Sequence, residues 1–183
     1  HRLEVMDISL STITIEREGK DGLVCKDNLR ADIKVAFFVR VNELDEDVKK
    51  VAQAVGCSRA SSKDALRLLF DAKFSEALKT AVKQFEFEEL LTNRRTFRDA
   101  VVQVIGSEMD GFKIYDVVID KVDQTALDAH SPDNILDVEG IRKISAITAQ
   151  KNTETNAIRQ DEQTTMKKKN VEAEANRLQL DRQ

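Results

Sequence analysis

Apolar and polar residues alternate over residues 23–41, and this is the most regular pattern in the chain. Every second position there is apolar or small, with the exception of Asp27, and charged residues occupy many of the positions between them. Side chains of a β-strand point alternately to its two faces, so a period of two predicts one long, half-buried strand. Its apolar face would contain Leu23, Cys25, Leu29, Ala31, Ile33, Val35, Phe37, Val39 and Val41.

Another strand is expected just before this one. Residues 4–17 are rich in Ile, Thr and Val, but the apolar positions change from even to odd numbers near Ser11. Such a change of phase predicts a bulge or a bend in the strand. Gly19 and Gly22 lie between the two strands and permit the positive φ of a tight reversal. The sequence therefore predicts a β-hairpin.

The period changes from two to that of a helix after residue 47. Apolar residues at positions 48, 51, 52 and 55 predict a short amphipathic helix that Gly56 ends. The polar stretch CSRASS that follows is expected to be a connector.

Two longer helices are predicted next. Ser61 and Asp64 resemble a capping box that starts a helix of about six turns. Asn93 is expected to cap a further helix, which Gly111 closes. The apolar faces would contain, in the first helix, Leu66, Leu69, Phe70, Phe74, Ala77, Leu78, Ala81, Val82 and Phe85, and in the second Phe97, Ala100, Val101, Val104 and Ile105.

The last strand is expected over residues 112–122. Its middle is apolar on both faces, which predicts a position inside the sheet. Ser131 and Pro132 are expected to be the cap and first residue of a terminal helix. The predicted order is thus β, β, α, α, α, β and a long helix. This order indicates the α+β class, with a small mixed sheet packed by amphipathic helices.

The chain changes character after its last predicted strand. All nine aromatic residues precede residue 116, and neither Gly nor Pro occurs after Gly140. Since aromatic side chains supply much of the area in a core, a core over residues 1–130 and a long helical region over residues 131–183 are expected. The 183 residues, with 34% charged side chains, fit one domain plus a solvated appendage.

The composition also excludes several classes of protein. Six Gly and one Pro are too few for collagen, flexible linkers or a loop-rich sandwich. No apolar run is long enough to cross a bilayer, and no signal peptide is recognisable. The formal net charge of -4 argues against nucleic acid as a partner, because duplex binding uses clustered Lys and Arg.

Residues suited to catalysis or metal binding are scarce. Cys25 and Cys57 are far apart in sequence and form no CxxC motif, so unpaired buried thiols are expected. His1 and His130 are the two histidines, and we expect His130 to be a surface loop residue. Nucleotide-binding and hydrolase motifs are missing from the sequence. Carboxylate clusters occur at predicted helix starts, where they complement the helix dipole. We therefore predict no enzyme, no cofactor and no metal site.

Arginine and lysine clusters leave alternatives open. Arg94, Arg95 and Arg98 could bind an anionic partner, but a solvated helix face is the simpler interpretation. Lys167–169 are adjacent and point in three directions around a helix, so they do not form one basic face for a membrane or nucleic acid.

The terminal helix contains the candidate functional residues. A heptad register is too polar for a two-stranded coiled coil, whereas an eleven-residue register is slightly better. Eleven residues in three turns suit many parallel helices standing side by side, although a helix that frays is the alternative. The predicted oligomerisation residues are Ile144, Ile147, Ile158, Met166 and Leu180.

Several stretches, in this order, resemble the SPFH superfamily of stomatin, prohibitin and flotillin, also called band 7. Among its members, the bacterial inner-membrane flotillins are the most similar. The resemblance covers residues 3–140, and the polar helix beyond resembles the start of the flotillin coiled-coil region. The stretches are EVMDISLSTITIERE, KDGLVCKDNLRADIKVAFFVRV and LLFDAKFSEALKTAVKQFEFEELLTNRRTFRDAVVQVIGSEMDGFKIYDVVIDKV.

This resemblance implies a non-enzymatic scaffold that self-assembles into rings or cages and organises membrane microdomains. It implies a homo-oligomer bound to lipids of the bacterial inner membrane, with the domain on the cytoplasmic side and possible membrane-protein partners. We expect a membrane segment before His1 and Glu-Ala-rich repeats after residue 183, in a longer protein. Some members instead regulate a membrane protease, and this is the alternative function.

Overall fold

A computed structural model describes residues 3–106 and 109–180, with side chains described up to Arg177. This part of the chain contains four strands and six α-helices, with short 3-10 turns at Gly19–Asp21 and Leu127–Ala129. In chain order they are β1 (Ser11–Arg17), β2 (Leu23–Val24), β3 (Arg30–Val41), α1 (Asp45–Ala54), α2 (Cys57–Ala60), α3 (Lys63–Val82), α4 (Phe87–Thr92), α5 (Arg94–Ile105), β4 (Phe112–Gln124) and α6 (Ile135–Leu180).

The sheet is built around β3, and the α+β class is confirmed. Strand β3 pairs antiparallel with β1, β2 and β4, so the expected mixed sheet is antiparallel in the described pairings. Strand β4 is not interior, because β3 is its partner in the described sheet. The apolar middle of β4 misled the prediction, because Val118 is apolar although it lies on the opposite face from buried Val117 and is 39% exposed.

The long strand predicted over residues 23–41 is two strands. A turn separates β2 from β3, with the Cys25 N–H donating to the Leu29 carbonyl at 2.8 Å and Asn28 at φ 63°. The period of two continues through the turn, and Leu23, Cys25 and Leu29 are all buried. Alternation alone therefore could not reveal this break.

The opening strand is shorter than predicted. Strand β1 begins at Ser11, the position where the sequence changes phase, and residues 3–10 are not in a strand. Antiparallel pairing of β1 with β3 confirms the expected reversal between the two segments.

Several helix boundaries differ from the predictions. Ser62, not Ser61, caps α3 through its Oγ, and the connector before it contains the short helix α2. Gly106 ends α5, so Gly111 is not its terminator. Ser62 Oγ accepts from the Ala65 N–H, and the Gly106 N–H donates to the Val102 carbonyl, so each residue satisfies one free backbone group at its helix end.

The core lies between the sheet and helices α3 and α5. Phe37 from β3 stacks on Phe74 from α3 with 4.2 Å between ring centroids, and both side chains are fully buried. Phe70 joins this stack and meets Phe112 of β4 edge-on. These contacts confirm the inward face predicted for β3 and most of that predicted for α3. Leu69 in α3 and Val104 in α5 are expected to face inward but are 41% and 37% exposed, so these two predictions are wrong.

The chain divides into two compact units. The first ends at Ile141 and includes the first seven residues of α6. The second begins at Arg142 and contains the rest of the helix. The boundary expected at residue 130 remains a prediction about domain organisation.

Candidate functional site

Helix α6 starts at Ile135, three residues after Pro132. Asn134 supplies the cap that had been expected from Ser131: its Oδ1 accepts from the Leu136 N–H at 3.0 Å, and its carbonyl accepts from the Val138 N–H at 2.9 Å. Asn is a favoured capping residue because its short side chain reaches the free N–H groups of the first turn. The prediction of Ser131 and Pro132 as the helix start is therefore wrong.

A buried ion pair holds the first turn of α6 on the domain. The Arg30 guanidinium donates to Asp137 Oδ1 through Nη2 at 2.6 Å and through Nε at 3.2 Å. Its Nη1 donates to the carbonyl oxygens of Lys20 and Gly22. The Ser131 N–H donates to the other Asp137 oxygen at 3.0 Å. One arginine thus links the turn after β1 to the start of the helix.

A second contact lies two residues further along α6. The Asn28 side-chain amide donates to the Glu139 carboxylate. Gly140 lies against the same residue, since a Cβ at Gly140 would be 2.6 Å from the Asn28 carbonyl oxygen. Glycine is the residue that permits this approach. The two contacts, together with the ion pair, form the helix anchor, which consists of Asn28, Arg30, Asp137, Glu139 and Gly140.

Electrostatics favour the charged form of Asp137. Burial opposes ionisation, but the hydrogen bonds from Ser131 and Arg30 and the positive charge of Arg30 outweigh it. The pKa of this carboxyl therefore lies below its usual range.

Most apolar side chains predicted for oligomerisation are exposed on α6. Ile147, Ile158 and Met166 are 46%, 60% and 69% exposed, whereas Ile144 is buried. The Leu180 side chain lies outside the described residues. Single exposed apolar side chains are common on protein surfaces, so it is the recurrence of Ile147 and Ile158 along one helix, and not their exposure alone, that suggests a contact face.

Charged residues of α6 that could pair across copies also pair within the helix. Lys151 Nζ lies 3.2 Å from Glu154 Oε2, and Gln150 donates to the other oxygen of Glu154 at 3.1 Å. Hydrogen bonds from Lys151 and then Gln150 lower the pKa of Glu154. Solvent screens an exposed pair of this kind, so the pair does not fix an assembly by itself.

His130 is not the surface residue that the sequence suggested. It is 7% exposed, its Nδ1 lies 3.0 Å from the Ala126 carbonyl oxygen, and its Nε2 has no hydrogen-bond partner within the described part.

Other charged side chains form ion pairs or cap helices. Arg98 lies near Asp99 and Asp116, and Glu86 and Glu89 form a capping box at the start of α4. Residues 3–106 and 109–180 contain no group of three or more His, Cys, Asp or Glu placed to bind a metal. In the same ranges no helix is long and apolar enough to cross a membrane.

Sequence reasoning missed the helix anchor. In the sequence, Asp137 is an ordinary carboxylate in the first turn of a helix. Arg30 is one of the charged residues on the polar face of a half-buried strand. Their meeting depends on contacts between residues 107 positions apart in the chain. A local pattern contains no signal for such a contact.

Comparison with known proteins identifies the fold. The SPFH domain / Band 7 family matches residues 1–181, nearly the whole chain. The chain belongs to this family. It is 31% identical to the flotillin family inner membrane protein YqiK of Escherichia coli, over 98% of this chain and 33% of that protein. It is 25% identical to the flotillin family inner membrane protein sll1021 of Synechocystis, over 76% of this chain and 21% of that protein.

The chain therefore spans a third or less of the length of these relatives. The predicted resemblance to the SPFH superfamily and to bacterial inner-membrane flotillins is confirmed.

Proposed function

We propose that this chain is part of a membrane scaffold whose copies assemble through α6 into rings or cages and organise membrane microdomains. The observation that carries the proposal is a continuous 46-residue helix with exposed isoleucine and methionine side chains. The relatives named as inner membrane proteins support the membrane association.

The stability of α6 is expected to depend on packing against another helix. A lone helix gains little from intrinsic propensity, and most helical stability in proteins comes from packing. Neighbouring copies are the simplest source of packing, because Ile147 and Ile158 recur at eleven residues and suit parallel, nearly straight neighbours. A head-to-tail arrangement of copies generates a ring when its rotation closes.

The remaining parts of the proposal concern the cellular location of the domain and its partners. We place the domain on the cytoplasmic side of the inner membrane, where the free thiols of Cys25 and Cys57 stay reduced. Lipids and membrane proteins are the proposed partners of the assembly. Nucleic acid is not, given the net charge of -4.

The test is a matched pair of double variants in α6. Ile147→Asp with Ile158→Asp places charges on the proposed contact face. Ala149→Asp with Gln160→Asp places the same charges at the same spacing, but two residues later and thus about 200° around the helix. All four positions are exposed, so neither variant should unfold the first unit.

Sedimentation over a series of concentrations measures the association. We expect the parent chain and the Ala149/Gln160 variant to associate weakly, with average mass rising with concentration, and the Ile147/Ile158 variant to remain monomeric. Equal association of both variants would remove α6 as the assembly element. A parent chain that stays monomeric throughout would also contradict the proposal.

A further inference from the structure

Strand β4 lies at an edge of the sheet. Within the described residues β3 is the strand paired with β4, so the opposite side of β4 is open. Antiparallel strands turn their backbone N–H and C=O groups toward each other at alternate residue pairs. The Thr125 N–H donates to the Arg30 carbonyl, which fixes this alternation. Residues of β4 that pair with odd-numbered positions of β3 therefore turn these groups to the open side, and they are Ile114, Val117, Ile119 and Val122.

A carboxylate of the same strand occupies part of this edge. The Val117 N–H donates to Asp116 Oδ1 at 2.8 Å, as expected for an N–H that points away from β3. In an added strand, a backbone carbonyl would accept at that position. Tyr115 and Asp120 are left out of the pairing with β3, so each marks a bulge. The regular part of the edge is thus short and covers residues 116–119.

Helix α5 runs beside this edge and forms one wall of a groove with a volume of about 310 Å³. Arg98 Nη1 lies 3.9 Å from Asp116 Oδ1 across the groove. Arg95, Arg98 and Val102 are spaced by three and four residues, which places them on one side of α5. The groove is lined by Arg98, Asp99 and Val102 of α5 and by residues 114–117 of β4.

The charges of α5 favour an acidic partner for this groove. Arg94, Arg95 and Arg98 stand against Asp99 in the first two turns of the helix. Arg98 pairs with Asp99 at 3.2 Å, whereas Arg95 is exposed and has no ion-pair partner among the described residues. Arginine binds carboxylates through charge-assisted hydrogen bonds, often two at a time. Carboxylates added to the groove would therefore find cations to pair with, and a basic segment would be repelled.

We propose that the groove between α5 and β4 binds an extended acidic segment of another protein, which adds a short antiparallel strand to the edge of β4. The backbone of the segment bonds to Val117 and Ile119 and displaces the Asp116 carboxylate, while its acidic side chains meet Arg95 and Arg98. Main-chain hydrogen bonds supply affinity in this mode of recognition, and side-chain contacts supply specificity. The inference concerns the first unit alone and does not depend on assembly through α6.

A short fluorescent peptide in which glutamate and valine alternate is the probe, and fluorescence anisotropy measures its binding to the 183-residue chain. Alternation puts the glutamates on the α5 side of the added strand and the valines on the other side. Replacing the glutamates by lysines should weaken binding at least about tenfold. N-methylation of the glutamates, whose N–H groups would face β4, should abolish binding, whereas N-methylation of the valines, whose N–H groups would face water, should not.

Two matched pairs of variants locate the site. Arg95→Ala with Arg98→Ala should weaken binding of the glutamate peptide at least about tenfold. Lys63→Ala with Arg67→Ala removes two exposed cations of α3 and should bind like the parent chain.

The second pair tests the edge of β4. Asp116→Ala frees the Val117 N–H and removes a negative charge, so it should strengthen binding by about threefold to tenfold. Asp123→Ala, on the same face of β4, is its control and should leave binding unchanged. Urea unfolding checks that all four variants fold.

Several results would overturn the inference. They are a parent chain that does not bind the glutamate peptide, equal binding of the glutamate and lysine peptides, equal effects of the two N-methylations, and equal losses in the two double variants. If the parent bound no peptide and Asp116→Ala increased self-association in sedimentation, the edge of β4 would be a contact between copies, and the proposed acidic partner would be wrong.

Discussion

Phe37 and Phe38 are neighbours in β3 with different surroundings. Phe37 points to the helices, is fully buried and stacks on Phe74. Phe38 points to the other face of the sheet, where it lies between Thr12 and Asp116 on the adjacent strands and is half-buried. The same side chain thus contributes differently at two consecutive positions, because a strand alternates its faces.

Truncating each phenylalanine tests this difference. Phe37→Ala should lower the free energy of unfolding by about 3 to 5 kcal/mol, because it leaves a cavity under α3. Phe38→Ala should cost about 1 to 2 kcal/mol, because part of its area is already exposed to water. Urea unfolding of the two variants measures both values, and equal losses would show that the register of β3 is wrong.

Burial also determines the chemistry of Cys25. Removal from water, with a smaller contribution from the Asp27 charge, raises the pKa of its thiol to about 12. The thiol is thus protonated at neutral pH and a poor nucleophile. Cys57 is half-buried at the start of α2, and both cysteines are free.

At the scale of elements, the local sequence pattern predicts which residues of a single strand or helix face the core. The inward residues of β3 follow from a period of two, and most of those of α3 follow from a period of 3.6, with exposed Leu69 as the exception. The position of β4 in the sheet did not follow, because an apolar segment does not reveal how many partners its strand has. The helix anchor did not follow either, since Arg30 and Asp137 meet through tertiary structure alone.

The anchor makes stability depend on pH in a defined direction. The folded-state pKa of Asp137 lies below its unfolded value, as a result of hydrogen bonds from Ser131 and Arg30 that outweigh the effect of burial. A carboxyl with a depressed pKa stabilises the folded state above its unfolded pKa, about 3.9 for Asp. This stabilisation is lost as the pH falls through the lower folded-state value.

Asp137→Asn isolates this effect. At neutral pH the variant should be about 2 kcal/mol less stable than the parent, because Arg30 loses its charged partner and keeps the carbonyl oxygens of Lys20 and Gly22. The difference should shrink as the pH falls below about 4. Urea unfolding across a pH series measures it, with Asp161→Asn on the exposed part of α6 as control. A difference that is constant with pH would contradict the ionised pair.

At the scale of the whole molecule, the first unit needs the start of α6. The loss of aromatic residues after residue 115 suggested a domain that ends at residue 130. Residues 135–141, however, contribute Asp137, Glu139 and Gly140 to the anchor. We therefore expect the folding unit to end near Ile141, where the first compact unit ends.

Shortened chains test where the folding unit ends. A chain of residues 1–141 should unfold cooperatively, with a stability close to that of the 183-residue chain, because it retains the whole anchor. A chain of residues 1–130 should be less stable, since it lacks the contacts that Asp137 and Glu139 make with Arg30 and Asn28. A peptide of residues 142–183 should show little helical circular dichroism alone, because it lacks the packing that stabilises most helices. Equal urea midpoints for the two shortened chains would place the boundary at residue 130, and a strongly helical peptide would show that α6 needs no neighbours.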